Sequence, residues 1–332
     1  PILERVPMNI DEILNKLLGE KQLNAEGTID VVWINGENFA TAKTNDLLFG
    51  PFTSMLPNFN AYIDEINREA NYDFGFPTEG YEAPFGKAQL VLIADSTTFD
   101  FPRDHQALLA LAKEHPGKIT YPALPDFTGS AFVRNIIYDI VGQDAFYDLE
   151  ADKETVKKVI QPAMDYLLEL KPYLWMEGKT YPSTSAQLDN MYSDGEVMMT
   201  ISYNPNHVAN KIQTGEFSQT SHAFLFDKGT VGNTHFMAIP MNAPNRDAAL
   251  VLINAILAPE LQASKYDPQV WGDLPVLENS MLSVDEKALF ESIPLGQGVP
   301  TQEELLSKRV PEMPVHLIPI IEEIWMEMVP GE

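Results

Sequence analysis

Apolar residues recur at Ile10, Ile13, Leu14, Leu17 and Leu18, a spacing that predicts a helix over Ile10–Lys21 with one apolar face. Asn9, followed three positions later by Glu12, has the spacing of a capping box that opens it. Upstream, Ile2–Val6 is short and β-compatible, and Pro7 stops it. Ile29–Ile34 is almost continuously apolar, the pattern of a strand covered on both faces in a parallel sheet. It empties into the polar turn Asn35-Gly36-Glu37-Asn38-Phe39, then a helical piece ending near Leu48. Residues 50–85 carry aromatics, Pro, Gly and Asn, and read as loops around one helix, Asn60–Ala70. Beyond them the pattern predicts strands at Ala88–Ala94, Lys118–Tyr121, Val197–Tyr203, Ala223–Phe226 and Phe236–Ile239. It predicts helices at Gln106–Glu114, Ser130–Val141, Thr155–Leu170, Arg246–Leu257 and His316–Val329. Strands and helices alternate almost throughout, which makes the fold class α/β.

Length suggests two domains, since 332 residues is about twice the usual domain size. Ordinary apolar and charged content, 45% and 21%, sets disorder aside. Charge changes the picture more. Forty-eight acidic against 22 basic side chains leave a net charge of -26, which repels nucleic-acid phosphate and anionic lipid, so no nucleic-acid partner is expected. The absence of cysteine removes disulfide scaffolds, thiol catalysis, iron–sulfur clusters and cysteine-ligated zinc. The most apolar stretch, Ala248–Ala258, is too short to span a bilayer. The chain begins at Pro1 rather than methionine, so an upstream segment is expected to have been removed or left out.

Enzyme signatures fail. Asp73-Phe74-Gly75 spells a kinase tripeptide without the catalytic loop, strand lysine or glycine-rich loop that must accompany it. Gly117-Lys118 lacks the upstream glycine of a phosphate loop, and Ile119 stands where Ser or Thr would hold magnesium. The six histidines are scattered without a metal-binding pair, so neither metal nor cofactor is expected. Two segments have the chemistry of a pocket lining instead. Trp33–Phe39 lies where a buried strand ends in a turn, and Phe76–Pro84 packs two carboxylates, two aromatics and a hydroxyl before the next strand. The plainer reading leaves Trp33 in the core, Glu79 and Glu82 solvated, and Pro77 and Gly80 as loop-shaping residues.

WINGENF (33–39), LLFGPF (47–52), LPN (56–58) and FGFPTEGYEAPFGKAQLV (74–91) together resemble the extracellular solute-binding proteins of ABC importers. The resemblance points to a subgroup related to thiamine, iron and polyamine binders. Pro240–Asn245, Ala248-Ala249, Ile253, Leu257, Pro259-Glu260, Gln262 and the segment Trp271–Leu277 extend it over essentially the whole chain. Proteins of that family begin with a strand and helix upstream of the point where this chain starts, so Pro1–Val6 would be the second strand.

The resemblance implies a two-lobed periplasmic-binding-protein-like (type II) α/β fold with a ligand cleft between lobes that close by hinge motion. Lobe one would hold 1–95 and 235–290, and lobe two 96–234, with crossings near Ala94–Phe101 and Phe226–Thr234. Residues 291–332 would be C-terminal helices packed along the lobes. Candidate ligand contacts in lobe one are Trp33, Asn35, Glu37, Asn38, Glu79 and Tyr81. In lobe two they are Asp126, Thr128 and Ser130, at a helix start with free backbone N–H groups, then Tyr203 and Asn206 after the Val197–Tyr203 strand. Trp271 would close one side.

The implied function is non-enzymatic binding of a small solute and its delivery to an ABC permease and ATPase, by a monomer. Its place would be the periplasm or the cell exterior, with a lipid anchor as an option on the removed N-terminal segment. Two other readings compete: a two-lobed α/β transferase, which needs a tuned catalytic group, and a ligand sensor of the same fold. Carboxylates at Glu37, Glu79, Glu82 and Asp126 among Trp33, Tyr81, Tyr203 and Trp271 suit a cationic or zwitterionic amine, thiamine- or polyamine-like. Helix N-termini would suit an anion equally well.

Overall fold

A computed structural model describes residues 3–64 and 66–329, the side chain of Asp11 excepted. The chain divides into two compact units. Unit 1 holds the chain up to Lys87 together with Asn233–Pro294, and unit 2 holds Ala88–Gly232 and the chain from Leu295 onward. The first crossing thus falls at Lys87, ahead of the Ala94–Phe101 segment where irregular sequence sets in, and the C-terminal helices cluster with unit 2.

The strands are β1 (Val32–Ile34), β2 (Leu48–Phe49), β3 (Tyr72–Asp73), β4 (Phe76–Pro77), β5 (Glu82–Gln89), β6 (Val91–Asp95), β7 (Met199–Ser202), β8 (Ser221–Phe224), β9 (Thr230–Pro240) and β10 (Arg309–Pro311). β9 organises a five-stranded sheet. β1 and β2 pair with it antiparallel, β10 pairs parallel with its first residues, and β5 also pairs with it. A second sheet has the order β7-β6-β8, antiparallel throughout. β3 and β4 form a small hairpin.

In unit 1 the helix Ile10–Gln22 opens on the capping box that Asn9 and Glu12 predict. Its Leu17 joins Val32, Ile34, Phe39, Ala42, Leu47, Leu48 and Ala238 in one core cluster. In unit 2 the helix Phe127–Val141 is buried almost all round, with its polar Ser130, Arg134, Asn135 and Asp139 hydrogen-bonded inside. Lys153–Leu170 presents Val156, Ile160, Met164 and Leu167 at helical spacing to the same core, which Ile321, Ile324 and Trp325 of the Ile318–Met328 helix complete.

Several expectations are corrected. Ile29–Ile34 is not a doubly covered parallel strand: only 32–34 is strand, antiparallel to β9, with Val32 and Ile34 buried and Trp33 exposed. Asn60–Ala70 is not one helix. Proline starts a helix at Pro57 that ends at Tyr62, and Asn67 caps a separate turn, Arg68–Asn71, by accepting from Glu69 N–H. Lys118–Tyr121 is not a ladder strand. Its carbonyls accept from separate segments, Lys118 from Met198 N–H and Ile119 from Trp175 N–H. The 88–94 run breaks at Leu90 between β5 and β6, and β5 begins at Glu82, which takes that carboxylate out of the loop. Of the Ile2–Val6 segment, Ile2 lies outside the described residues and 3–6 forms no strand.

Candidate functional site

Unit 1 carries an aromatic surface that follows from strand alternation. With Val32 and Ile34 facing the core, Trp33 must face out, and its ring is 49% exposed. β1 pairs Trp33 with Met237, so His235, two residues along β9, shares its face diagonally. The two rings meet nearly edge-on at 5.1 Å. Buried Phe85 of β5 packs T-shaped on Trp33 at 5.3 Å, and Trp271, 51% exposed, lies 6.2 Å from both Trp33 and Phe85. The result is a pair of half-exposed indoles on a base of Phe85 and His235. Trp33 Nε1 donates to Asn35 Oδ1 at 3.0 Å, which ties the ring to the turn that follows.

Charge lies directly behind this surface. Buried Lys265 ion-pairs with Asp273 at 2.9 Å and lies 5.8 Å from the Phe85 centroid, while Asp273 also reaches His235 Nε2 at 3.6 Å. Burial lowers the Lys265 pKa, against the pull of Asp273. Gly86 is required here: a Cβ on it would fall 1.8 Å from Asp273 Oδ2.

The turn after β1 depends on Gly36, whose φ of 61° and ψ of -132° suit glycine alone. Gly36 is the N-cap of the helix Glu37–Thr44, so Glu37 stands exposed at the first helical position and Asn38 is partly buried. The Gly36 N–H donates to the buried Asp73 carboxylate.

Glu79 and Tyr81 gather around Lys43. The ammonium is 2.8 Å from Glu79 and 5.3 Å from the Tyr81 centroid, so this carboxylate already has a cation. Glu82 is wholly buried rather than solvated or lining a loop.

In unit 2 the structure withdraws most of the predicted contacts into a polar network. The free N–H groups expected at the helix start are taken: Asp126 caps the helix by accepting from Thr128 and Gly129 N–H, and Ser130 N–H donates to the Asp126 carbonyl. The Ser130 hydroxyl donates to Glu322 at 2.6 Å and accepts from Arg134. Arg134 grips Glu312 with two bonds of 3.0 Å, and the Tyr203 hydroxyl donates to the same carboxylate. Asn206 is buried, its N–H held by Asn204 Oδ1. Half-exposed Phe127 packs T-shaped on Tyr203 at 4.9 Å. A pocket lined by His105, Leu109, Lys113, Tyr166 and Glu169 contains none of the predicted residues.

Sequence reasoning missed Phe85, His235, Asp73 and Phe127. Phe85 and His235 sit in strands whose alternation could have placed them on one face, but only the β1–β9 register brings that face to Trp33. Asp73 was visible only as part of a tripeptide without kinase context.

The described residues thus form a mixed α/β framework that carries an exposed aromatic surface on unit 1. Residues 3–291 match the family of bacterial extracellular solute-binding proteins, and the chain belongs to that family. It is 39% identical over 267 residues to Protein YnjB of Escherichia coli strain K12, covering 80% of this chain and 68% of that one. Solved structures share the fold at low identity. An ABC transporter protein from Clostridium perfringens matches with a TM-score of 0.67 at 18% identity, over 98% of this chain and 88% of its own. FutA2 from Synechocystis PCC6803 matches at 0.61 and 14%, over 98% and 90%. The Atu4243-GABA receptor matches at 0.58 and 16%, over 98% and 86%. The fold is therefore that of the periplasmic binding proteins, and membership of an extracellular solute-binding family places the chain in the periplasm or outside the cell.

Proposed function

We propose that this protein captures a cationic or zwitterionic amine on the Trp33–Trp271 surface, one per monomer, and delivers it to its permease. The observation that carries the reading is the indole pair, each ring about half exposed and 6.2 Å from the other. Large aromatic rings left open to water on a rigid base are the usual mark of a binding surface. A cation over an indole face gains roughly 0.5–2 kcal/mol. Glu37, exposed at the end of the adjoining turn, supplies a carboxylate there, whereas Glu79 is already paired with Lys43. The GABA receptor among the solved structures of this fold is named for a zwitterionic amine, which supports the same class.

The test begins with the protein as purified. Denaturation and mass spectrometry of the released small molecule should identify an amine. Titration of the stripped protein with thiamine, putrescine and GABA should change tryptophan fluorescence for at least one, saturating at one per chain. Release of a sugar or inorganic anion, with no response to any amine, overturns the reading.

A further inference from the structure

Pairing in β1 fixes Trp33, but Trp271 stands in the turn that follows the helix Pro259–Tyr266. Its backbone is tied to that helix and its exit. Trp271 N–H donates to the Asp267 carbonyl at 2.9 Å, and the Gly272 and Asp273 N–H groups donate to the Lys265 carbonyl at 3.0 and 3.2 Å. Those bonds set the turn against its own helix, not against the strands that carry Trp33. The Asp273 side chain makes the crossing. Its Oδ2 takes Lys265 Nζ at 2.9 Å, and its Oδ1 lies 3.6 Å from His235 Nε2 on β9. The His235 ring is 5.1 Å from Trp33 and 5.9 Å from Phe85, so a carboxylate next but one to Trp271 reaches the base on which Trp33 rests. Lys265 Nζ also donates to the Leu274 carbonyl at 3.3 Å, and Leu274 exchanges backbone bonds with Lys87 of β5. The fit against β5 is close: a Cβ on Gly86 would fall 1.8 Å from Asp273 Oδ2 and 2.8 Å from Lys265 Nζ. Both charged side chains are buried. Apolar residues of the same size commonly match the stability of such a buried ion pair. What they cannot supply is direction, since the two carboxylate oxygens hold two partners at set angles.

We propose that Asp273 is the positioning residue of the aromatic ligand surface, the group that sets Trp271 at its working distance from Trp33. This rests on the reading of that surface as the ligand site. With the carboxylate in place, the two indoles meet one ligand at a separation of 6.2 Å. Without it, the turn keeps its backbone bonds to the helix and, through Leu274, to β5. The part that bears Trp271 then loses its tie to β9, and the ligand keeps Trp33 but loses the second ring. One indole contact with a cation corresponds to a factor of about 2–30 in affinity, which is the loss expected.

The experiment uses the whole chain labelled with ¹⁵N-tryptophan, in which Trp175 and Trp325 belong to unit 2 and serve as internal references. Trp33→Phe and Trp271→Phe assign the two indole peaks. Lys265→Met combined with Asp273→Leu removes both charges and roughly keeps the volume, so no lone charge is left buried. The wild type should show a ring-to-ring nuclear Overhauser contact between Trp33 and Trp271. The double variant should lose that contact and shift the Trp271 peak, while Trp175 and Trp325 stay in place. Its affinity for putrescine, by calorimetry, should fall about 2–30-fold. Should that variant fail to fold, Asp273→Asn decides: it keeps the shape, removes the charge that Lys265 and His235 face, and should weaken the same contact. A ring contact unchanged in the folded variant overturns the inference, as does unchanged putrescine affinity beside a lost contact. A lower Tm with contact and affinity both intact would make Asp273 structural alone. If the wild type binds no putrescine, the choice of amine fails, while the ring contact still decides whether Asp273 positions Trp271.

Discussion

Replacing Tyr203 by Phe separates a ligand contact from a structural brace, because the two roles move different observables. The hydroxyl donates to Glu312 Oε1, which also takes Arg134 Nη2 at 3.0 Å, while Oε2 takes Arg134 Nε at 3.0 Å. Both charged side chains are only 2% exposed. Burial holds the Tyr203 pKa well above its ordinary value, so the phenol is a neutral donor at any working pH. A hydrogen bond to a charged group contributes roughly 1.5–3 kcal/mol. Glu312 keeps both bonds to Arg134 when the hydroxyl goes, which places the loss at the lower end, about 1.5 kcal/mol. For a unit of this size that is a fall in Tm of about 3–6 °C. Arg134→Met should cost more, about 3–5 kcal/mol, because it strands a buried carboxylate. Urea and thermal melts followed by circular dichroism measure the stability, and fluorescence titration with an amine measures the binding. An unchanged Tm in Tyr203→Phe with weakened binding would refute the bracing role and return Tyr203 to the ligand.

The remaining predictions concern unit 1. Glu37→Gln should weaken an amine ligand about tenfold or more by removing a charge-assisted bond. Because Gly36 and not Glu37 is the cap, melting should move by no more than the roughly 0.3–1 kcal/mol of a helix-dipole contact; a large loss of Tm at constant affinity would show the opposite division of labour. Gly86→Ala should drive a methyl group into the Lys265–Asp273 pair and destabilise the protein by about 3 kcal/mol or more, read by urea denaturation; tolerance of alanine would mean the pair can shift. Stability should also depend on pH through Asp73. Its contribution is full below the ordinary carboxyl value of 3.8 and is lost as pH rises through about 8, so the Tm measured across that range should fall less in Asp73→Asn than in the wild type.

The sequence by itself settled what depends on neighbours along the chain. The capping box at Asn9 and Glu12 and the apolar stripe of Lys153–Leu170 are local patterns, and both are present as read. The family was legible too, because WINGENF and the 74–91 stretch are specific strings. The aromatic surface was half legible: Trp33 and Trp271 could be named as candidates, yet their separation of 6.2 Å and their base of Phe85 and His235 depend on which strand lies beside β1. Pairing partners far apart in sequence leave no local trace, so β9 as the organising strand, and the antiparallel sense of its pairing with β1, emerged only in three dimensions. The same limit governs charge. Ser130 and Tyr203 read as open polar groups until Glu322, Glu312 and Arg134, distant in the chain, are found holding them. Glu82 reads either as a pocket-lining or as a solvated loop carboxylate, and only its place in β5 buries it. A side chain's type is written in the sequence, but whether it meets water, a counter-ion or a ligand is decided by what tertiary packing puts against it.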